Sequence, residues 1–182
     1  MPRIFVFTLR PERAQPTAEL VGLCARRYLA ETGRPYVRLP APVRSGFSKP
    51  RFEGAAFAEF SLTHSGGFFA CAFSPLPVGL DLQQHRPCRA EAVARRFFHP
   101  EEYRYVLQHG DDGFFSVWCA KESYVKLTGE GITDRFGTFS AVSGGQLSGS
   151  IRGAHVHFLP FAPGYTLCLC CRHEGQIIPI SL

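Results

Sequence analysis

None of the seven cysteines pairs with another in a Cys-x-x-Cys spacing, which leaves a zinc site without suitable ligand geometry. Their number is odd, and Cys168, Cys170 and Cys171 fall in an apolar alternating run. Buried free thiols in a reducing compartment are the reading that fits. No apolar run is long enough to span a bilayer, and the N-terminus carries no signal-peptide pattern. A cytoplasmic protein without a membrane partner is expected. Strong charge is lacking too: 20 basic against 15 acidic residues leave a net charge of +5. That excess suits an anionic ligand or an acidic protein partner rather than nucleic acid, and it also suits an ordinary solvated surface. There is no clear internal repeat. The surroundings of Ser65 lack the Gly-x-Ser-x-Gly elbow, which argues against a serine nucleophile there.

What is present is a chain of 182 residues, 45% hydrophobic with 17 phenylalanines, enough for one domain or two small halves sharing a core. Residues 4–8 read as a strand. Val21, Cys24, Ala25, Tyr28 and Leu29 share one helical face, and Gly33 supplies the stop. Residues 36–39 look extended, and 40–54 read as a loop rich in Pro, Gly and Ser. Strands are expected over 57–62 and 68–73, joined through a turn of residues 63–67. A strand follows over 78–82, then a helix through Ala90, Val93, Ala94 and Phe97. Pro100-Glu101-Glu102 suits the first turn of another helix. The longest helix is expected from about 113 to 127, ended by Gly129 and Gly131. Antiparallel strands are expected over 138–142, 155–159, 165–171 and 176–181. The class is α+β: two similar halves, residues 1–75 and 76–182, each a helix on a small antiparallel sheet, related by a pseudo-two-fold axis.

Two acids stand where core residues belong. Asp81 lies in the apolar strand Val78-Gly79-Leu80-Asp81-Leu82-Gln83, and Glu122 interrupts the helical stripe Phe115, Trp118, Val125. Buried carboxylates are costly without a partner. A salt bridge would satisfy each, and Glu122 with Lys126 one turn on also reads as a surface i, i+4 pair. Two inward acids on separate elements favour a shared hard cation such as magnesium, held by oxygens. The segment Thr63-His64-Ser65-Gly66-Gly67 reads as a hairpin turn with the makings of a phosphate cradle. His155 and His157 share a strand face and read as solvent-facing.

In order, the chain carries Lys49-Pro50, Phe60-Ser61-Leu62-Thr63-His64-Ser65-Gly66, Val78-Gly79-Leu80-Asp81, Arg96-Phe97-Phe98 with Glu102, and Trp118-x-x-Lys121-Glu122-Ser123-x-x-Lys126. This series resembles the 4′-phosphopantetheinyl transferases, and most closely their monomeric, two-lobed, surfactin-synthetase-activating branch. The similarity runs from about residue 45 to 132, and Gly164-Tyr165 fits the family's closing strand. The resemblance implies transfer of the phosphopantetheine arm of coenzyme A to a serine of an acidic acyl or peptidyl carrier protein, with 3′,5′-ADP as the other product. By the same resemblance Asp81 and Glu122 hold magnesium, with position Gln83 as a third ligand. Lys126 neutralises the pyrophosphate, Thr63 and His64 contact coenzyme A phosphates, and Lys49 lies near the nucleotide. Asp81, Glu122 and Lys126 form the catalytic set, Glu122 taking the serine proton directly or through a metal-bound water. Glu102 matches a recurrent acid with no assigned role. Phe97 and Phe98 are candidates for an apolar contact with the carrier, with core packing expected for at least one of them.

Gln83 departs from the pattern, since a carboxylate usually stands there. An amide oxygen coordinates without charge. Ala18-Glu19 occupies the place of an expected arginine, with Arg10, Arg13, Arg26 and Arg27 as candidates to meet the 3′-phosphate. These departures support an alternative, a non-catalytic coenzyme A or carrier-protein binding protein of the same fold. The retained charges at Asp81, Glu122 and Lys126 favour the enzyme.

Overall fold

The computed structural model describes residues 1–11, 15–35, 50, 52, 58–130 and 134–182. Residues 36–39, Lys49 and Arg13 lie outside the described residues, as does most of the expected loop 40–54.

The chain opens with β1 (Arg3–Leu9), a nearly continuous apolar strand buried on both faces. Helix α1 (Thr17–Glu31) lays Val21, Cys24, Ala25 and Tyr28 on the Phe5 and Phe7 face of β1. Gly33 ends it at φ +65, its N–H donating to the Ala30 carbonyl at 3.1 Å. β2 (Glu59–Ser65) and β3 (Phe68–Ser74) form a hairpin. The expected five-residue turn is only two residues long, because His64 pairs with Phe69 and Ser65 with Phe68. Gly66, at φ +57, helps the chain reverse without the three residues before it. Thr63, His64 and Ser65 are therefore strand residues.

β4 (Val78–Gln84) and α2 (Ala90–Phe97) lead into α3 (Pro100–Thr128). The two helices expected at 100 and at 113 run together, broken at Gly110, whose φ of 61° and ψ of −144° are not helical. His99 caps the start. Its ring accepts from Glu101 N–H at 3.3 Å, and Glu102 accepts from His99 N–H at 2.9 Å. Gly129 closes the helix in the left-handed conformation.

A 3₁₀ turn follows (Asp134–Thr138), then β5 (Val142–Ser143) and β6 (Gln146–Leu147), which pair, and β7 (Ser150–Ile151), β8 (Ala154–Leu159), β9 (Tyr165–Cys171) and β10 (Gln176–Ser181). Of the strand expected over 138–142, only Val142 is in a strand, as the first residue of β5. The Phe139 carbonyl accepts from Lys121 at 2.6 Å and Ala141 N–H donates to Glu102 at 2.6 Å, so this backbone serves a buried ion pair instead of a ladder.

The strands make two four-stranded sheets, ordered β10-β1-β3-β2 and β4-β9-β8-β7. β10 pairs with β1 in parallel. The antiparallel expectation fails there, and residues 176–181 complete the first sheet although the sequence places them in the second half, 76–182. The second sheet is antiparallel throughout, whereas the first is mixed. Ile4, Val6, Ala70 and Ala72 of the first sheet pack against Leu80, Leu82, Leu167 and Leu169 of the second. Small residues on one side let the sheets approach closely. α1 covers the outer face of the first sheet and α3 that of the second. The α+β class stands. Among the described residues no helix is long and apolar enough to cross a membrane. None of the seven cysteines is in a disulfide, and only Cys88 is exposed.

Candidate active site

The two sheets meet at their edges, β2 against β4, without a shared backbone ladder. Side-chain hydroxyls take its place. Ser61, Thr63 and Ser65 accept from the N–H groups of Leu80 (3.0 Å), Leu82 (3.3 Å) and Gln84 (2.9 Å). Each exposed strand edge thereby finds a partner. The sequence signal for this is the Ser-x-Thr-x-Ser alternation, of which Ser61 falls in the expected strand while Thr63 and Ser65 fall in the expected turn.

Along β4 the period of two sends Val78, Leu80 and Leu82 into the inner core and turns Gly79, Asp81 and Gln83 to α3. Gly79 makes the approach possible. A Cβ there would lie 1.9 Å from the Ser123 carbonyl oxygen and 2.5 Å from the Leu127 nitrogen, both backbone atoms of α3. A glycine inside a strand signals such a contact.

The close approach brings Asp81, Glu122 and Lys126 together. Asp81 is 2% exposed and Glu122 8%. Lys126 Nζ donates to Asp81 Oδ1 at 2.6 Å, Thr63 Oγ1 to the same oxygen at 3.3 Å, and Gln83 Nε2 to Oδ2 at 2.7 Å. Behind them Cys119 Sγ donates to the Asp81 carbonyl at 3.2 Å and fixes the strand on the helix. No described residue donates a hydrogen bond to the Glu122 carboxylate. Burial first, and the Asp81 charge second, push its pKa up to about 7, with Lys126 opposing. A buried acid perturbed in this way by a second acid is a candidate functional site.

The donor set fits a hard divalent cation. Two carboxylates converge, their mutual repulsion is only partly relieved by Lys126, and Gln83 adds an amide beside them. Among the described residues no group of three His, Cys, Asp or Glu side chains forms a metal cluster. To offer its oxygen, the Gln83 amide must turn over from its bond to Asp81.

The sequence profile of the 4′-phosphopantetheinyl transferase superfamily matches residues 77–170. The chain belongs to this superfamily. It is 31% identical over 137 residues to the 4′-phosphopantetheinyl transferase Sfp of Bacillus subtilis, covering 70% of this chain and 61% of that protein. It is 35% identical over 100 residues to psf-1 of Bacillus pumilus, 53% of this chain and 42% of the relative. With HetI of a Nostoc species the identity is 39% over 89 residues, 43% and 38% of the two chains. The chain thus spans less than two thirds of the length of these curated relatives. They place it in the Sfp-like branch that its motifs resemble.

The remaining residues divide clearly. Glu102, the acid without a role, is fully buried and paired with Lys121, whose Nζ lies 2.9 and 2.8 Å from its two oxygens. Lys121 also faces the rings of Phe98, Phe136 and Phe139, the last at 4.0 Å. This pair pins the start of α3 to its middle and to the segment at Phe139, so its role is structural. Phe98 is buried and Phe97 is 46% exposed beside Arg95 and Arg96. Thr63 is buried against Asp81, and His64 is exposed on β2. Arg10, Arg26 and Arg27 are exposed; Arg27 pairs with Glu31 at 2.7 Å, and Arg10 lies over the Phe68 ring. His155 and His157 are partly buried rather than fully solvent-facing.

Proposed function

We propose that this protein is a magnesium-dependent 4′-phosphopantetheinyl transferase. It moves the phosphopantetheine arm of coenzyme A to a serine of an acidic acyl or peptidyl carrier protein and releases 3′,5′-ADP. The observation that carries the reading is the convergence of Asp81, Glu122 and Lys126 where the hydroxyl-linked edge of β4 meets α3. Asp81 and Glu122 would hold magnesium, with Gln83 as a neutral donor and water completing the shell. The bound ion supplies charge screening and Lewis acidity at the pyrophosphate.

The chain's own groups do the rest. Glu122 is the group that would accept the proton of the carrier serine. The serine oxygen bonds to the phosphorus on the pantetheine side of the pyrophosphate, and the bridging P–O bond breaks toward 3′,5′-ADP. Lys126, 30% exposed and tied to Asp81 by one short bond, swings to meet the charge growing on the leaving group. His64, exposed at the end of β2, and Lys49 contribute to the coenzyme A phosphates. All the described catalytic groups lie in one chain, which suits a monomer. The exposed Phe97 with Arg95 and Arg96, on a chain of charge +5, offers a basic and apolar landing for an acidic carrier helix. Seven thiols outside any disulfide suit the cytoplasm.

The test is chromatographic. 3′,5′-ADP must form from coenzyme A only when an apo carrier protein and magnesium are both present, and not with Lys126→Ala. Carrier-independent release would point to a hydrolase, and no release alongside measurable coenzyme A binding would point to a binding protein.

A further inference from the structure

Ser61, Thr63 and Ser65 are spaced evenly on β2, and each accepts an N–H from a residue 19 or so positions further along the chain, on β4. Thr63 alone does a second thing. A hydroxyl has one proton and two lone pairs, and the Thr63 proton goes to Asp81 Oδ1 at 3.3 Å while its oxygen takes the Leu82 N–H. The other two donors to that carboxylate are of a different kind. Lys126 is a long side chain, 30% exposed, and Gln83 is partly exposed and able to turn its amide over. Both have other work under the reading above. Lys126 leaves to meet a phosphate, and Gln83 turns its oxygen to a cation. Thr63 is buried, β-branched and therefore stiff about χ1, and locked by its own backbone partner across the junction.

We infer that Thr63 is the positioning residue of the Asp81 carboxylate, the donor that stays when Lys126 and Gln83 are redeployed. It makes the edge of the first sheet part of the cation site on the second. The inference rests on Asp81 being a cation ligand of the proposed transferase, but its geometry does not.

Four variants of the full chain test it: Thr63→Val, which keeps shape and loses the hydroxyl; Thr63→Ser, which restores it; Ser61→Ala, which loses a rung remote from Asp81; and Asp81→Ala. Binding of Mn²⁺ alone, followed by water-proton relaxation without coenzyme A, should weaken about ten-fold in Thr63→Val, the size expected for an outer-shell ligand partner. Thr63→Ser and Ser61→Ala should stay within about two-fold of the wild type on the same scale. In urea unfolding, Asp81→Ala should shrink the effect of Thr63→Val on the unfolding equilibrium about five-fold, the range of contacting residues. The effect of Ser61→Ala should be unchanged. Thr63→Ala replaces Thr63→Val in the cycle where the latter does not fold. The inference is overturned when Thr63→Val behaves as Ser61→Ala in both measurements, or when Thr63→Ser fails to rescue. Coupling and ion dependence without transfer to any carrier would keep the positioning role and remove the transferase reading. Transfer without coupling would do the reverse.

Discussion

Replacing Gly79 by alanine adds one methyl at the point where β4 touches α3, and the consequences can be worked out. The new Cβ would sit 1.9 Å from the Ser123 carbonyl oxygen, while ordinary contact begins at 3.4 Å, so strand and helix must part by about 1.5 Å along that line. Neither neighbour can give by a rotamer change, because Ser123 O and Leu127 N are helix backbone. Overpacking of this kind costs about 1–3 kcal/mol, and a rigid backbone on one side places Gly79→Ala at the upper end. The lower chain entropy of alanine offsets only about 0.5–1 kcal/mol. A net loss of about 2 kcal/mol is therefore expected in urea unfolding. The same movement pulls Lys126 off Asp81, now 2.6 Å apart, and moves Glu122 with it. Displacements near 1 Å in an assembled site cost about a hundred-fold in rate, and kcat/KM for the carrier should fall by that order. Wild-type stability would show that the helix does not lie on the strand. Lower stability with an unchanged rate per folded molecule would show that this contact does not set the site.

Glu122→Gln should abolish transfer and flatten the pH dependence of stability in the metal-free protein. A carboxyl whose folded pKa is raised contributes stability that is full below about 4.5 and lost as pH rises through about 7, so the variant should melt above the wild type at pH 8. An unaltered melting profile would remove Glu122 from its buried place beside Asp81. Lys121→Met leaves the Glu102 charge buried without its partner and should cost about 3–5 kcal/mol in urea unfolding, with Lys121→Met/Glu102→Leu recovering part of it. Gln83→Glu should tighten Mn²⁺ binding by supplying a third carboxylate, and an unchanged titration would show that position 83 does not face the ion. Phe97→Asp should raise KM for the carrier while leaving KM for coenzyme A alone; equal effects on both would move the landing surface elsewhere.

The two inward acids were legible in the sequence because they break the rule that governs their surroundings. Asp81 interrupts a buried strand and Glu122 an apolar helical stripe, and those violations coincide in space. Most strands were legible from period and composition, β9 and β10 to the residue. Pairing was not: the parallel match of β10 with β1 joins residues 173 or so positions apart, and nothing local in Gln176-Ile177-Ile178 records its partner. Thr63 and Ser65 were hidden for a related reason. Their hydroxyls looked like turn chemistry, and only the second strand, brought alongside, shows them as rungs. Lys121 is the opposite case. A lysine on a helix reads as solvated, and its full burial depends on Glu102 and three aromatic rings drawn from distant segments. Its pairing, in turn, explains why the segment around Phe139 does not become a strand.

The central claim is that Asp81, Glu122 and Lys126 carry transfer from coenzyme A to a carrier serine. The most direct measurement is the intact mass of an apo carrier protein after incubation with this protein, coenzyme A and magnesium. The account predicts a gain of one phosphopantetheine, absent with a chelator and absent with Glu122→Gln. No gain across peptidyl and acyl carriers, or a gain that survives Glu122→Gln, would contradict it.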